Sequence, residues 1–305
     1  MNFFKKETQI DFMQLRIKAM TFSCIICLIS VISFFVNGMN LSLDFTGGTQ
    51  IRLNHIQQSP EDIRNWAQTQ FGADIKVQEI GSEGDFIIRI GNQVVQSDQA
   101  AISQVFIDHF GQSKFSSIAY IGPQIGKSLL MNGVIATLIA LLTTMLYIIV
   151  RFEYRFGFSA MLALLHDPIV IIGCFSLFGL EFDINSLAAI LTVLGYSLND
   201  TIVVYDRVKE NFIRNKKLSP EETVNLAINQ TLSRTIMTSG LTLLVVLSLL
   251  FFGGDQLHNF ALSLTIGIII GTYSSIYVAG SLAVSLGLDR ESLLPKSRDY
   301  LKHIP

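Results

Sequence analysis

Residues 184–205 read INSLAAILTVLGYSLNDTIVVY. The run contains no Lys or Arg and matches the ~20 residues that a helix needs to cross a hydrocarbon core. Wound at about 100° per residue, Asn185, Thr192, Tyr196, Asn199 and Asp200 fall in one arc. Leu187, Leu191, Leu194, Leu198 and Ile202 fall opposite. An Asp in a span costs roughly 2.5–3.5 kcal/mol on insertion scales, so such an arc is expected to face protein or a water-filled cavity. The stretch therefore predicts a membrane fold with a polar centre built around Asp200.

Five further apolar runs lie around it, giving spans at 19–36, 128–150, 158–179, 184–205, 236–252 and 260–286. In lipid these must be helices, because every backbone polar group needs an internal partner. Half of the 305 residues are apolar, 15% are charged, and the mean hydropathy is +0.47. A soluble domain of that length carries more charge. The net charge of −2 says nothing about partners by itself, and the lack of a basic face with interleaved aromatics argues against nucleic acid. Residues 1–36 resemble a signal peptide, but Ala19–Val36 is longer than an h-region and no small-residue cleavage site follows. They read as an uncleaved first helix.

Basic residues set the expected orientation. Lys5, Lys6, Arg16 and Lys18 precede the first span, and Arg151 and Arg155 lie in the connection 151–157. Arg207, Lys209, Arg214, Lys216, Lys217 and Arg234 lie in a loop 206–235, and Arg290, Lys296, Arg298 and Lys302 in the tail 287–305. The connections 180–183 and 253–259 have no Lys or Arg. Both termini are therefore expected to be cytoplasmic and residues 37–127 periplasmic, with 128–286 holding spans two to six. In the loop, Ser219-Pro220-Glu221-Glu222 is a capping box with Pro at the first helical position. Val224, Ala227, Ile228 and Thr231 follow at helical spacing and predict an amphipathic helix on the membrane surface leading into the fifth span.

Residues 37–127 differ in composition and contain the chain's single Trp, Trp66. Their pattern predicts strand 48–55, helix 60–71, strand 75–81, strand 85–91, helix 98–110 and strand 114–121. Ser59-Pro60-Glu61-Asp62 starts the first helix and Ser97-Asp98 the second; Gly81-Ser82-Glu83-Gly84 is a hairpin signal. The order βαββαβ predicts a ferredoxin-like α+β domain on a membrane all-α six-helix bundle. That fold hosts many functions, so a protein-binding surface is its default reading. His55 and His109 stand alone there and read as structural or solvated.

Further polar groups accompany Asp200 in the spans. His166-Asp167 lies in the third, followed by Pro168, whose ring is expected to loosen the helix and free a carbonyl. Arg234 opens the fifth, with Thr235, Thr238, Ser239 and Thr242 behind it. These groups are expected to converge with Asp200, where protonation would switch their pairing. Blander readings stand beside this one. Asp200 can serve as a neutral packing acid bonded to Asn199 or Tyr196, Asp167 can simply pair with His166, and Arg234 can snorkel to phosphates. Asp206 and Arg207 read as interfacial anchors. Gly267, Gly271, Ser275, Ala279 and Ala283 form a small-residue series that permits close helix approach. Cys24 and Cys27 have CxxC spacing, yet with no second ligand pair they and Cys174 read as packing residues rather than a metal or redox site.

Four stretches carry a resemblance to a known family. Asp44-Phe45-Thr46-Gly47-Gly48-Thr49 resembles a hallmark of the SecD/SecF family. Leu194–Arg207, Leu232–Ser239 and Gly271–Tyr277 resemble its fourth-, fifth- and last-span motifs. With the six-span layout the likeness covers nearly the whole chain. The resemblance implies a resistance-nodulation-division-type membrane unit formed with SecD. It implies assistance to the SecYEG channel and the SecA motor in moving preproteins outward across the bacterial inner membrane. It further implies use of the proton gradient, with protons as coupling ion and no cofactor. Asp200 matches the motif aspartate implicated in proton conduction and Arg234 the motif arginine. His166-Asp167 resembles a third-span pair, and Pro168 departs from the pattern. The better-known proton-carrying aspartate of the family lies in SecD.

Competing functions remain. A proton-coupled small-molecule transporter half explains the polar arc equally well, though no internal repeat is evident. A passive scaffold for SecD needs no proton at all. An intramembrane enzyme is disfavoured: HExxH is absent, and Tyr205-Asp206 lacks a GxGD partner.

Overall fold

The computed structural model describes residues 8–72, 75–79, 84–91, 99–215 and 217–289. Among them six helices are long and apolar enough to cross a membrane. They form a membrane helical bundle: α1 (Arg16–Asn37), α5 (Pro123–Arg151), α6 (Tyr154–Leu177), α7 (Ile184–Arg214), α8 (Pro220–Phe252) and a sixth span. The sixth is composite: α9 (Asp255–Tyr273), a π-helical stretch Ser274–Ala279, and α10 (Gly280–Ser285). Helices α6, α7 and the sixth span form the centre, while α1, α5 and α8 present most of their apolar side chains outward. Helix α6 continues unbroken through Pro168, a residue with no N–H to give the turn before it.

Two expectations about the connections need correction. The stretch 206–235 is mostly helix: α7 runs on to Arg214 and α8 begins at Pro220. The capping box at Ser219 and Glu222 is present, and the helix it starts leads into the fifth span as the sequence indicates, without a break. Its apolar side does not lie on lipid. Val224, Ala227, Ile228 and Leu232 are buried against Phe12, Met13, Val208 and Phe212. Asn225 Oδ1 accepts the Phe12 N–H at 2.8 Å and Asn229 Oδ1 the Ile10 N–H at 2.9 Å, which ties the segment before α1 onto α8. Lys5, Lys6, Lys216 and the tail from Arg290 onward lie outside the described residues.

The region between the first two spans holds strands β2 (Gly48–Leu53), β3 (Ile75–Glu79), β4 (Phe86–Ile90) and β5 (Phe115–Ile121) in one antiparallel sheet, with order β3-β4-β2-β5. Helices α3 (Pro60–Phe71) and α4 (Gln99–Phe110) cover one face. Ile51, Leu53, Ile88 and Ile90 from the sheet meet Ile63, Ala67, Ile102 and Phe106 from the helices in a closed core. Ser59 caps α3 as its sequence signals. Residues 81–83 of the hairpin and Ser97-Asp98 lie outside the described residues. His109 is exposed and stacks on Trp66 with ring centroids 4.2 Å apart, and His55 N–H donates to Asp85 Oδ1.

The glycine pair has a local cause. Ser42 caps a single turn, α2 (Leu43–Thr46), and Gly47 ends it at φ 70°. Gly48 follows at φ 124°, and a Cβ there would meet the Ile90 carbonyl at 2.5 Å. Only glycine satisfies both positions.

In the bundle, a Cβ on Gly267 would meet Val193 Cγ2 at 2.2 Å, so the small-residue series lets the sixth span press on α7. Gly267→Ala is expected to cost about 1–3 kcal/mol in thermal unfolding in micelles. Gly240→Ala, where nothing lies within 4 Å, should be neutral or stabilising. Equal effects would contradict this packing.

Candidate functional site

Asp200 is 2% exposed on α7, facing α8 and the sixth span. Ser239 Oγ of α8 donates to Asp200 Oδ2 at 3.4 Å. Thr272 Oγ1 of the sixth span lies 2.9 Å from Ser239 Oγ and 2.7 Å from the Ile268 carbonyl, so its single proton chooses between them. Arg234 is exposed on α8 and acts on Asp200 through space rather than through a direct ion pair. Tyr196 Oη reaches Thr242 Oγ1 at 3.5 Å instead of Asp200.

The polar arc read from the sequence is divided. Asp200 turns into the chain, whereas Thr192 and Asn199 are exposed on its surface. Among the other buried polar groups of α7, Ser197 and Thr201 lie nearest Asp200 in the chain, and the arc omitted both. On the opposite side, Leu194 is buried with Leu141 and Leu164. The reason is that α7 has protein on several sides, so one wheel sector cannot separate inside from outside.

A groove of about 300 Å³ follows the seam of α7 and α8 beside Arg234, lined by Val203, Asp206, Arg207, Glu210, Gln230 and Thr231. Asp206 is exposed there and Arg207 half-buried, and both have partners. Asp206 Oδ1 accepts from Arg151 at 3.1 Å, and Arg207 Nε donates to Gln230 Oε1 at 2.7 Å and pairs with Glu210.

His166 and Asp167 are 6% and 0% exposed on α6. His166 Nδ1 lies 3.0 Å from Asp167 Oδ1, and Ser274 Oγ donates to Asp167 Oδ2 at 3.1 Å. No direct hydrogen bond among the described residues joins the pair to Asp200 or Arg234; each acid instead has a partner group on or next to the sixth span. Ser275 on that span donates to the Ser197 carbonyl at 3.2 Å and lies 3.1 Å from Thr201 Oγ1. These hydroxyls occupy the sequence GTYSS at 271–275, beside positions flagged only for size.

Asp44 and the glycine pair sit at a separate junction. Asp44 Oδ2 accepts the Ile184 N–H at 3.1 Å and so caps α7, the helix that carries Asp200. Strand β1 (Asn40–Leu41) pairs in parallel with β6 (Glu181–Phe182), Ser42 N–H donates to the Phe182 carbonyl at 2.9 Å, and Phe45 stacks on Phe182. Arg89 of β4 forms an ion pair with Glu181, and the two side chains are 9% and 15% exposed. The sheet is thus fastened to the start of α7. Burial pushes the Glu181 carboxyl above its ordinary range; the Arg89 charge and hydrogen bond oppose this, and Asp183 and Asp44 add to it.

Chemically, these groups can bind and release protons. Cys24, Cys27 and Cys174 are free thiols, and among the described residues no cluster of His, Cys, Asp and Glu is arranged to hold a metal ion.

Comparison with known proteins fits this geometry. The family described as "Protein export membrane protein SecD/SecF, C-terminal" matches residues 102–289, and the "SecD/SecF GG Motif" matches residues 32–54, which include Asp44, Gly47 and Gly48. Protein translocase subunit SecF of Vibrio alginolyticus is 40% identical over 296 residues, covering 95% of this chain and 94% of the relative. The same subunit of Pseudomonas aeruginosa is 40% identical over 290 residues, covering 94% of each. The crystal structure of SecDF from Thermus thermophilus, a translocon-associated membrane protein, is 36% identical and superimposes with a TM-score of 0.83 over 92% of this chain. SecDF in a super-membrane-facing form gives 0.70. The chain spans 39% of the length of those SecDF chains. Near-complete coverage by SecF relatives, the glycine junction and the six-span bundle lead to one conclusion: the chain belongs to the SecD/SecF family, on its SecF side.

Proposed function

We propose that this chain is an accessory subunit of the Sec protein-export machinery that pairs with SecD in the bacterial inner membrane and couples the proton gradient to preprotein movement. The observation that carries the reading is Asp200: a carboxyl 2% exposed, held by a hydroxyl and not by a direct cation. Such a group is expensive in a span unless it changes state in function. In this reading Asp200 takes and releases the proton, and Arg234 and Asn199 complete the path from the face of the chain. Tyr196 and Thr242 hold α7 to α8 alongside. A proton moving through about 100 mV supplies about 2.3 kcal/mol, so several per cycle suffice to move helices.

Pairing with SecD is supported by the exposed polar groups of α7 and α8. Thr192, Asn199 and Arg234 lie on the surface of two spans, where lipid is a poor neighbour. A passive scaffold would present the same face, so the gradient dependence decides between them. The family consists of transport subunits, and no enzymatic activity is assigned to the chain.

The proposed organisation is a first span ending at 36, a periplasmic domain 37–127, spans 128–286 and a cytoplasmic tail. It rests on the Lys and Arg distribution. The strand order β3-β4-β2-β5, with all neighbours antiparallel and a helix after the first and third strands, supports a ferredoxin-like reading of that domain. Its role is to grip the emerging preprotein, with SecYEG and SecA as the machinery it assists.

The test is reconstitution of SecYEG, SecA and SecD in proteoliposomes with and without this chain. Late-stage preprotein release is expected to speed up under a proton gradient only when the chain is present. A gradient effect that is the same without it contradicts the proposal.

A further inference from the structure

We infer that His166 and Asp167 form a second proton-binding site, coupled to Asp200 through residues Gly271–Ser275 of the sixth span. The coupling rests on the reading of Asp200 as a proton-exchanging acid; the second site itself does not.

Among the described residues, no Lys or Arg pairs with Asp167, and its carboxylate is bonded only to His166 and Ser274. The titratable groups facing the pair from neighbouring elements are Cys27 of α1 and Tyr273 of the sixth span. Tyr273 is engaged elsewhere, since its Oη donates to the Ala19 carbonyl at 2.7 Å. From α7 the neighbour is Ser197, with Asp200 three residues on. No hydrogen bond ties the pair to α5 among the described residues. A carboxylate at 0% exposure beside a neutral imidazole is a buried charge without a counter-charge, which carries a heavy desolvation cost. With the imidazole's single proton on Nδ1, facing Asp167, the free lone pair is on His166 Nε2, a buried atom without a hydrogen-bond partner among the described residues. A second proton binds there, turning a singly negative pair into a neutral imidazolium–carboxylate pair.

The link to Asp200 is a single stretch of backbone. Ser274 bonds Asp167; Ser275 bonds the Ser197 carbonyl; Thr272 reaches Ser239, which bonds Asp200. Gly271 leaves a notch in which a Cβ would sit 3.3 Å from both Asp167 Oδ2 and Ser197 Oγ. Ser197 Oγ is itself buried without a partner among the described residues. The π-helical stretch starts at Ser274, where the span leaves α-helical register. Such wide turns inside helices are frequent at functional sites. A change of proton occupancy at either acid pulls on the same five residues, Gly271–Ser275.

The test is nitrogen-15 NMR of the histidines in the full chain in lipid nanodiscs, titrated from about pH 5 to about pH 9. The chain has five His, and His166→Gln assigns the signal. The His166 ring nitrogens are expected to titrate within that range. Asp200→Asn is expected to move the midpoint by about half a unit or more, and Thr272→Val to abolish that movement. A His166 signal that stays in one state throughout overturns the second site. A midpoint indifferent to Asp200→Asn, or a shift that survives Thr272→Val, overturns the coupling. If the pair titrates while export proves independent of the gradient, the functional reading fails and the second site stands.

Discussion

Asp200→Asn is expected to leave the chain inserted and paired with SecD while the gradient-driven part of export falls by about a hundredfold, the lower end of what a positioned proton-transfer group supplies. Asn keeps the shape and can accept from Ser239 Oγ as Asp200 does, so the bundle has no reason to open. What it lacks is a proton that comes and goes. A neutral amide is also easier to insert than a carboxylate, so lower yield is not expected. The comparison to make is export with ATP alone against export with ATP plus a gradient. Export without a gradient should match wild type. A general decline in both would indicate damage to the bundle rather than loss of a proton site.

Glu181→Ala is expected to destabilise the attachment of the sheet to α7 by about 3–5 kcal/mol, because it leaves the Arg89 guanidinium buried without its counter-charge. Limited proteolysis or chemical unfolding of the region in micelles reads this out. The double variant Arg89→Met with Glu181→Leu should recover most of the loss, since replacing both partners removes the stranded charge. A loss within about 0.5 kcal/mol for Glu181→Ala would put the pair among exposed, weakly coupled ones and undo the account of the junction.

Local signals in the sequence placed the spans, the strands and both Ser caps, because each arises from a short-range rule. Apolar length, alternation and the Ser-Pro-Glu starts of α3 and α8 need no distant partner. Charge misled where helix propensity decided. Arg207, Lys209, Glu210 and Arg214 mark a boundary by polarity, yet all are good helix formers and α7 runs through them. The buried side of α8 was read as lipid-facing because Phe12 and Met13 lie more than 200 residues away in sequence. The β1–β6 pair and the Arg89–Glu181 ion pair are long-range in the same way. At the polar centre, Asp200 was legible from its cost in lipid. The division between Asn199 and Ser197 was not, since it depends on which helices surround α7. The π-helical stretch has no residue signature beyond the small and hydroxylated run at 271–275.

Proton movement measured directly bears hardest on Asp200. Proteoliposomes holding SecYEG, SecA, SecD and this chain, loaded with a pH-sensitive dye, report proton flux while a preprotein is arrested partway and then released. Flux that begins with preprotein movement in the wild type and disappears in Asp200→Asn is the expected result. Equal flux in the two proteins would contradict a proton-coupling role for this carboxyl.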